Sequence, residues 1–196
     1  MSKIGLLRIA AVGLLTVTAC GGGPEASAPA SRSGPLIATR DPTPSVQPPS
    51  LGTFVLVADL RSSGEVPPIT DAEASCTGQA EFVLRAKLDP AGAITGATAQ
   101  FSFFMNTCPS STQVTLTHIH QGAAGQNGAA KIDSGLKASE PTAVRGGEIG
   151  FNIQDVAVTD LALVTDIIAN PGSYYLDVHS VLHPDGLLRG QLAHRN

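Results

Sequence analysis

The sequence has no tryptophan, and aromatic residues make up only 4% of the chain. Charge is also scarce, at 14% of residues, and the 12 Lys+Arg are outnumbered by 16 Asp+Glu. A formal net charge of -4 leaves no positive face. That excludes nucleic acid as a partner and excludes polybasic docking on a membrane surface. No repeat or heptad pattern is present. What is abundant is turn-forming residues: 21 glycines and 14 prolines exceed what a helical bundle tolerates. A length of 196 residues suits one domain of ordinary size with some chain left over.

Residues 1–19 have the three parts of an export signal. Lys3 and Arg8 form the positive end, Ile9 to Val17 the apolar middle, and Thr18-Ala19 the small-residue close. The apolar run is shorter than the roughly 20 residues a permanent span needs. Leu15-Thr16-Val17-Thr18-Ala19-Cys20 resembles a bacterial lipobox. The resemblance implies cleavage before Cys20 and lipid on its sulfur and new amino group, and several acyl chains on one residue anchor stably. Residues 20–50 then read as a tether. They hold seven of the fourteen prolines and no aromatic residue, too little apolar surface to offset ordering entropy. The domain spans 51–196.

From residue 51 apolar positions recur with period two. In Gln79 to Leu88 the even positions are apolar and the odd ones mostly polar, the pattern of a half-buried strand. Asp89-Pro90-Ala91-Gly92 predicts a turn into a return strand, Ile94 to Met105. Thr53–Ala58, Gln113–His120, Gly147–Gln154, Ser173–Val181 and Gly186–Leu192 complete the set. One segment, Thr159 to Asn170, has helical spacing, with Thr159 as the expected N-cap. About seven short strands with Gly/Pro turns predict an all-β, two-sheet sandwich. Cys76 and Cys108 are the only thiols besides Cys20 and flank the Gln79–Met105 hairpin. In an oxidising compartment they are expected to pair.

Three histidines stand out. His118 and His120 are two apart on a predicted strand and leave one face, which continues back through Leu116 and Val114. On that reading both imidazoles lie at the inward end of an apolar row. His179 shares a face with Tyr175 and Asp177 on another strand. Imidazoles so placed suit copper or zinc, with Asp177 or Glu65 as a fourth ligand or orienting group. They equally suit a hydrogen-bonded polar cluster that holds loops together. Arg189 is expected to pair with a buried carboxylate, Glu65 or Asp177. His183 and His194 are expected to be solvated, as are Asp155, Asp160 and Asp166. The run Gly122 to Gly128 lacks the Lys-Ser/Thr ending of a phosphate loop and reads as turn glycines.

Taken together, residues 58 to 192 resemble the CHRD domain, named from chordin. The markers are Gly64-Glu65-Val66-Pro67-Pro68, then His118-Ile119-His120-Gln121-Gly122 with Gly125 and Gly128, then Gly172 to Ser180 and Pro184 to Leu192. Asp177 stands where the family usually has Asn, and Ser180 where it usually has Thr. The resemblance implies an immunoglobulin-like Greek-key β-sandwich, distantly like copper/zinc superoxide dismutase, and no particular activity. The His-x-His pair looks like part of the dismutase copper site. However, no histidine lies between His120 and His179, so the dismutase zinc-loop ligands have no counterpart.

The sequence therefore predicts an exported protein, lipid-anchored to the bacterial cell envelope (at the outer membrane if the cell is Gram-negative). Its domain is expected to be a non-enzymatic binding or structural module for an extracytoplasmic protein or glycan. The alternative is a copper or zinc protein using His118, His120 and His179.

Overall fold

The computed structural model describes residues 50–195, so the expected export signal, the expected lipidation at Cys20 and nearly all of the expected tether lie outside the described residues. Ten strands and one helix follow in chain order: β1 (Ser50–Arg61), β2 (Thr77–Leu88), β3 (Ile94–Asn106), β4 (Gln113–Gln121), β5 (Ala130–Asp133), β6 (Thr142–Ala143), β7 (Ile149–Val158), α1 (Leu161–Ala169), β8 (Tyr174–Ser180), β9 (Leu188–Gln191) and β10 (Ala193–His194). All pairings are antiparallel, in the order β5-β4-β8-β9-β1-β2-β3-β7, with β10 on β1 and β6 on β4. The sheet curls so that its two halves face each other across one core, an all-β sandwich nearly closed into a barrel.

Local chemistry explains the first half. β1, β2 and β3 form a meander paired from Ser50↔Leu88 to Arg61↔Thr77 and from Thr77↔Asn106 onwards. Asp89 builds the β2–β3 turn: its Oδ1 accepts the N–H groups of Ala91 (2.9 Å) and Ala93 (2.8 Å), and Gly92 takes φ +84°. Alternation then sends Leu56, Leu60, Phe82, Leu84, Phe101 and Met105 into the core, all fully buried. Phe82 and Phe101 meet edge to face, ring centres 5.0 Å apart. Cys76 and Cys108 form a disulfide at the open end of this hairpin. The loop they close, 32 residues in sequence separation, corresponds to about 3–4 kcal/mol of chain entropy.

The crossover from β7 to β8 carries α1. The expected helix is present, but its cap is Asp160 rather than Thr159, because the Asp160 carboxylate is the group that accepts the Leu163 N–H, at 3.0 Å. Val164 and Ile167 bury its inner face in the core.

The second half corrects the predicted facing of the histidines. Pairing of β4 with β8 shifts register between Val114 and Thr117. Val114 and Ile119 both enter the core although their numbers differ in parity. That irregularity turns the strand over. His118 and His120 therefore leave the face opposite Ile119, away from the core row they were expected to end.

Candidate metal centre

On β8, Leu176 and Val178 belong to the core, so Tyr175, Asp177 and His179 occupy the other face. Register sets His118 opposite Asp177, His120 opposite Tyr175, and Arg189 of β9 opposite Asp177 on its other side. These side chains form a polar layer on the outer face of β4-β8-β9. It is nevertheless largely covered: every residue of β8 is buried, and His118 and His120 are partly buried. Three connections cover it. The Gly122–Gly128 loop is held by Arg189 Nη2, which donates to Ala123 O (2.8 Å) and Gln126 O (2.9 Å). Asn127 donates to Val66 O (2.7 Å) and so ties that loop to the β1–β2 connection. The third cover is the turn after β8, around Pro184.

His118, His120, Asp177 and His179 each aim one ligand atom into a common point, and these atoms all lie within 4.8 Å of one another. His120 Nε2 is 3.1 Å from Asp177 Oδ2, His179 Nε2 is 3.2 Å from Asp177 Oδ1, and His118 Nδ1 is 3.0 Å from His179 Nε2. The tautomers follow from the backbone. His120 Nδ1 faces Gly128 O and His179 Nδ1 faces Pro184 O, each at 2.8 Å. A carbonyl can only accept, so both Nδ1 atoms carry hydrogen and neutral rings turn Nε2 lone pairs toward the carboxylate. The result is acceptor against acceptor. His120 Nε2 and Asp177 Oδ1 are buried without a hydrogen-bond partner.

Such an arrangement is relieved by protons or by a cation. Protons leave their mark on the pKa values. Burial pulls His120 and His179 down, but the Asp177 carboxylate outweighs it and holds both above the ordinary imidazole value. Burial raises Asp177 less than the two imidazoles lower it, leaving it at about 2. His118 is lowered, by burial first and by His179 second. A cation fits the same atoms. Two ligands about 2.0–2.1 Å from a tetrahedral ion are separated by about 3.4 Å. Three contacts here, 3.0–3.2 Å, lie just below that value and a fourth, His118 Nδ1 to Asp177 Oδ1 at 3.8 Å, lies above it. Three imidazole nitrogens and one carboxylate oxygen are a donor set for copper or zinc. Two of the histidines also have an orienting acceptor behind them, Gly128 O for His120 and Pro184 O for His179, while His118 Nε2 has the exposed Asp133 carboxylate at 4.0 Å, beyond hydrogen-bond distance.

The remaining expected residues fall around this point. Glu65 lies outside the ligand group, with its carboxylate against Gly186, where a Cβ would sit 2.8 Å from Oε2. Burial first and the Asp177 charge second push it to about 7, and its Oε1 is buried without a partner. Arg189 does not form the expected ion pair with Glu65 or Asp177. Its hydrogens go instead to loop carbonyls and to Gln191, and its guanidinium lies 3.5 Å over the Tyr175 ring. Tyr175 in turn stacks on His120, ring centres 4.9 Å apart, and its hydroxyl accepts the Gly128 N–H at 3.2 Å. Gly128 cannot carry a side chain, since a Cβ would collide with Gln121 O.

His194 is exposed, as expected, but His183 is not solvated. Its Nε2 lies 3.0 Å from Asp71 Oδ2 and 3.7 Å from Glu73 Oε2. Asp160 caps α1 and Asp166 accepts from Tyr174 and Asn170, so two of the three expected solvated carboxylates have local partners. The sequence reading missed Asp133 and the two orienting carbonyls. Backbone oxygens carry no residue signal, and only the His118↔Asp133 register reveals the carboxylate.

Neither the curated proteins nor the solved structures yield a match to the chain. The profile of the CHRD domain matches residues 56–192, from β1 to the end of β9 and just beyond, and includes every residue of the cluster. The chain belongs to the CHRD domain family.

Proposed function

We propose that this CHRD domain is a binding module whose ligand is a single copper or zinc ion, held by His118 Nδ1, His120 Nε2, His179 Nε2 and a carboxylate oxygen of Asp177. One observation carries the reading: the Nε2 lone pairs of His120 and His179, fixed by backbone carbonyls, face the two oxygens of the buried Asp177 carboxylate, and His120 Nε2 and Asp177 Oδ1 have no hydrogen-bond partner. Neutral imidazoles in a cluster made only for structure would place donors against Asp177. Without metal the same atoms are held by imidazolium protons, so metal and protons compete for one site.

A metal that binds only the folded state raises its stability by mass action, about 4 kcal/mol at a thousandfold excess over Kd. The melting temperature should therefore fall with EDTA and recover with one equivalent of Cu2+ or Zn2+, and H118A should abolish the recovery. A melting temperature indifferent to both would leave only the hydrogen-bonded cluster.

The module sits, in this proposal, at the cell envelope on a lipid attached to Cys20, with the Pro-rich tether as spacer. The lipobox residues Leu15 to Cys20 support this. C20S should move the protein from the detergent phase to the aqueous phase or leave its precursor unprocessed, and unchanged partitioning would refute the anchor. An extracytoplasmic protein or glycan remains the proposed partner class.

A further inference from the structure

The metal reading places one ligand, His179, under the control of a distant segment. Its Nδ1 hydrogen bond goes to Pro184 O, in the turn that follows β8. That turn is held from within by Ser180 N–H donating to His183 O (3.1 Å) and His183 N–H donating to Ser180 Oγ (3.0 Å). It is held from outside by Ser180 Oγ–H, which donates to Glu73 Oε2 at 2.6 Å, both residues buried and 107 positions apart. His183 Nε2 adds its contacts with Asp71 and Glu73. Glu73 is thus the outer support of the turn that orients His179.

Glu73 itself belongs to the β1–β2 connection, in a 3₁₀ turn over Ala72–Ser75 capped by Asp71, whose carboxylate accepts the Glu73 N–H. The same connection carries Glu65, facing the cluster. Its far end is Cys76, which joins Cys108 across the open end of the β2–β3 hairpin. Besides the disulfide, this end is secured by Ser62 Oγ on Ala74 O and by the reciprocal bonds of Ser75 and Thr107, of which the latter are exposed. Water can compete for the Ser75–Thr107 bonds, whereas Ser62 is buried and the disulfide is covalent.

We infer that the Cys76–Cys108 disulfide is a redox control on the metal centre, acting through Glu73, Ser180 and the Pro184 carbonyl on the orientation of His179. The inference rests on the proposed metal site. Closure removes two electrons and two protons from the thiols of Cys76 and Cys108, taken up by a disulfide-donating oxidant that is left as a dithiol. Opening is the reverse, with a dithiol reductant left as a disulfide. The centre gains full affinity only after this oxidation, so a chain still in a reducing compartment does not hold metal there tightly. Glu73, Ser180 and His183 are positioning residues and touch no metal.

The test measures Zn2+ affinity of the full chain by competition with a chromophoric chelator. Four proteins are compared: wild type with its disulfide intact, C76S/C108S, S180A and S180T. Serine in place of cysteine keeps free thiolates from binding zinc themselves. Loss of an outer-shell partner weakens metal binding by about 10–100-fold, and that loss is expected in C76S/C108S and in S180A. S180T keeps the hydroxyl and should bind within twofold of wild type. The visible band of bound Cu2+ should shift in S180A, where one imidazole is reoriented, and stay in place in S180T. Zinc affinity within twofold of wild type in S180A, or in a cooperatively melting C76S/C108S, overturns the inference while leaving the metal site standing. If C76S/C108S does not melt cooperatively, S180A decides. Wild type that takes up no zinc overturns the metal reading itself.

Discussion

The two halves of the sheet bury different chemistry. In β1-β2-β3 one face packs on the core and the other meets solvent, so Phe82 and Phe101 lie inside while Arg85 and Lys87 lie outside. In β4-β8-β9 the core face is just as apolar, with Ile119, Leu176 and Val178, yet the outer face is also largely covered, by three connections. There the covered side chains are His118, His120, Tyr175, Asp177, His179 and Arg189. Burying polar groups on a face that solvent could have served costs stability unless each is paired. The first half therefore shows what the fold requires. The second shows where something beyond the fold has been built in, and its unpartnered atoms mark the place.

Substitutions should separate the halves. The largest effect belongs to the first: F101A removes a fully buried ring from against Phe82 and should cost about 3–5 kcal/mol. It leaves the polar layer untouched, so the rise in melting temperature on adding zinc should survive in the destabilised protein. Calorimetry with and without metal checks this. Loss of the zinc response in a still-folded F101A would mean that the two halves are not energetically separate.

The first half was legible because its rule is local. Period-two alternation and the Asp89–Gly92 turn locate the hairpin, and the hairpin brings Cys76 to Cys108. The α1 segment was found from its spacing, although the cap was displaced by one residue because Asp160 and Thr159 are both competent caps. The site was legible only in part. His118, His120, His179 and Asp177 were identified by type and spacing, and the structure brings all four together. Their facing was misread, because a one-residue irregularity between Val114 and Thr117 inverts a strand and leaves no mark in composition. Arg189 and His183 were misassigned for a related reason. Their partners are loop carbonyls and carboxylates far away in sequence, which periodicity does not reveal.

A pH series sharpens the contrast, since the four clustered groups His118, His120, Asp177 and His179 all lie on strands of the second half. In the metal-free protein, Asp177 is depressed from 3.8 to about 2. Its contribution is present above the unfolded value and is lost as pH falls through about 2, roughly 2 kcal/mol in all. His120 and His179 are raised above 6.5, so their contribution is complete below 6.5 and is lost as pH rises through the raised values. Metal-free protein should melt at its highest temperature between these limits and lose stability as pH rises through the raised imidazole values. Metal reverses the upper limb, because ligation requires deprotonated imidazole. The gap between loaded and metal-free melting temperatures should therefore widen from pH 6 to pH 8. A gap that narrows would contradict the proton–metal competition.

The smallest effect tests the boundary between the halves. The helix α1 lies on the crossover from β7 to β8, so it leads directly into the strand that carries Tyr175, Asp177 and His179. Its start depends on the Asp160 carboxylate, which accepts the Leu163 N–H at 3.0 Å and lies at the positive end of the helix. D160A should cost about 1 kcal/mol, the usual worth of such a cap. Fraying should stop there. Val164 and Ile167 anchor the helix in the core, and Tyr174 fastens the end of the crossover through its hydroxyl to Asp166, one turn before the helix ends. The expected outcome is a small drop in denaturant midpoint with an unchanged m-value and unchanged zinc affinity. A zinc affinity that falls with the cap would show that the crossover transmits disorder into β8, and that the polar layer depends on the packing of the helix as much as on its own covering loops.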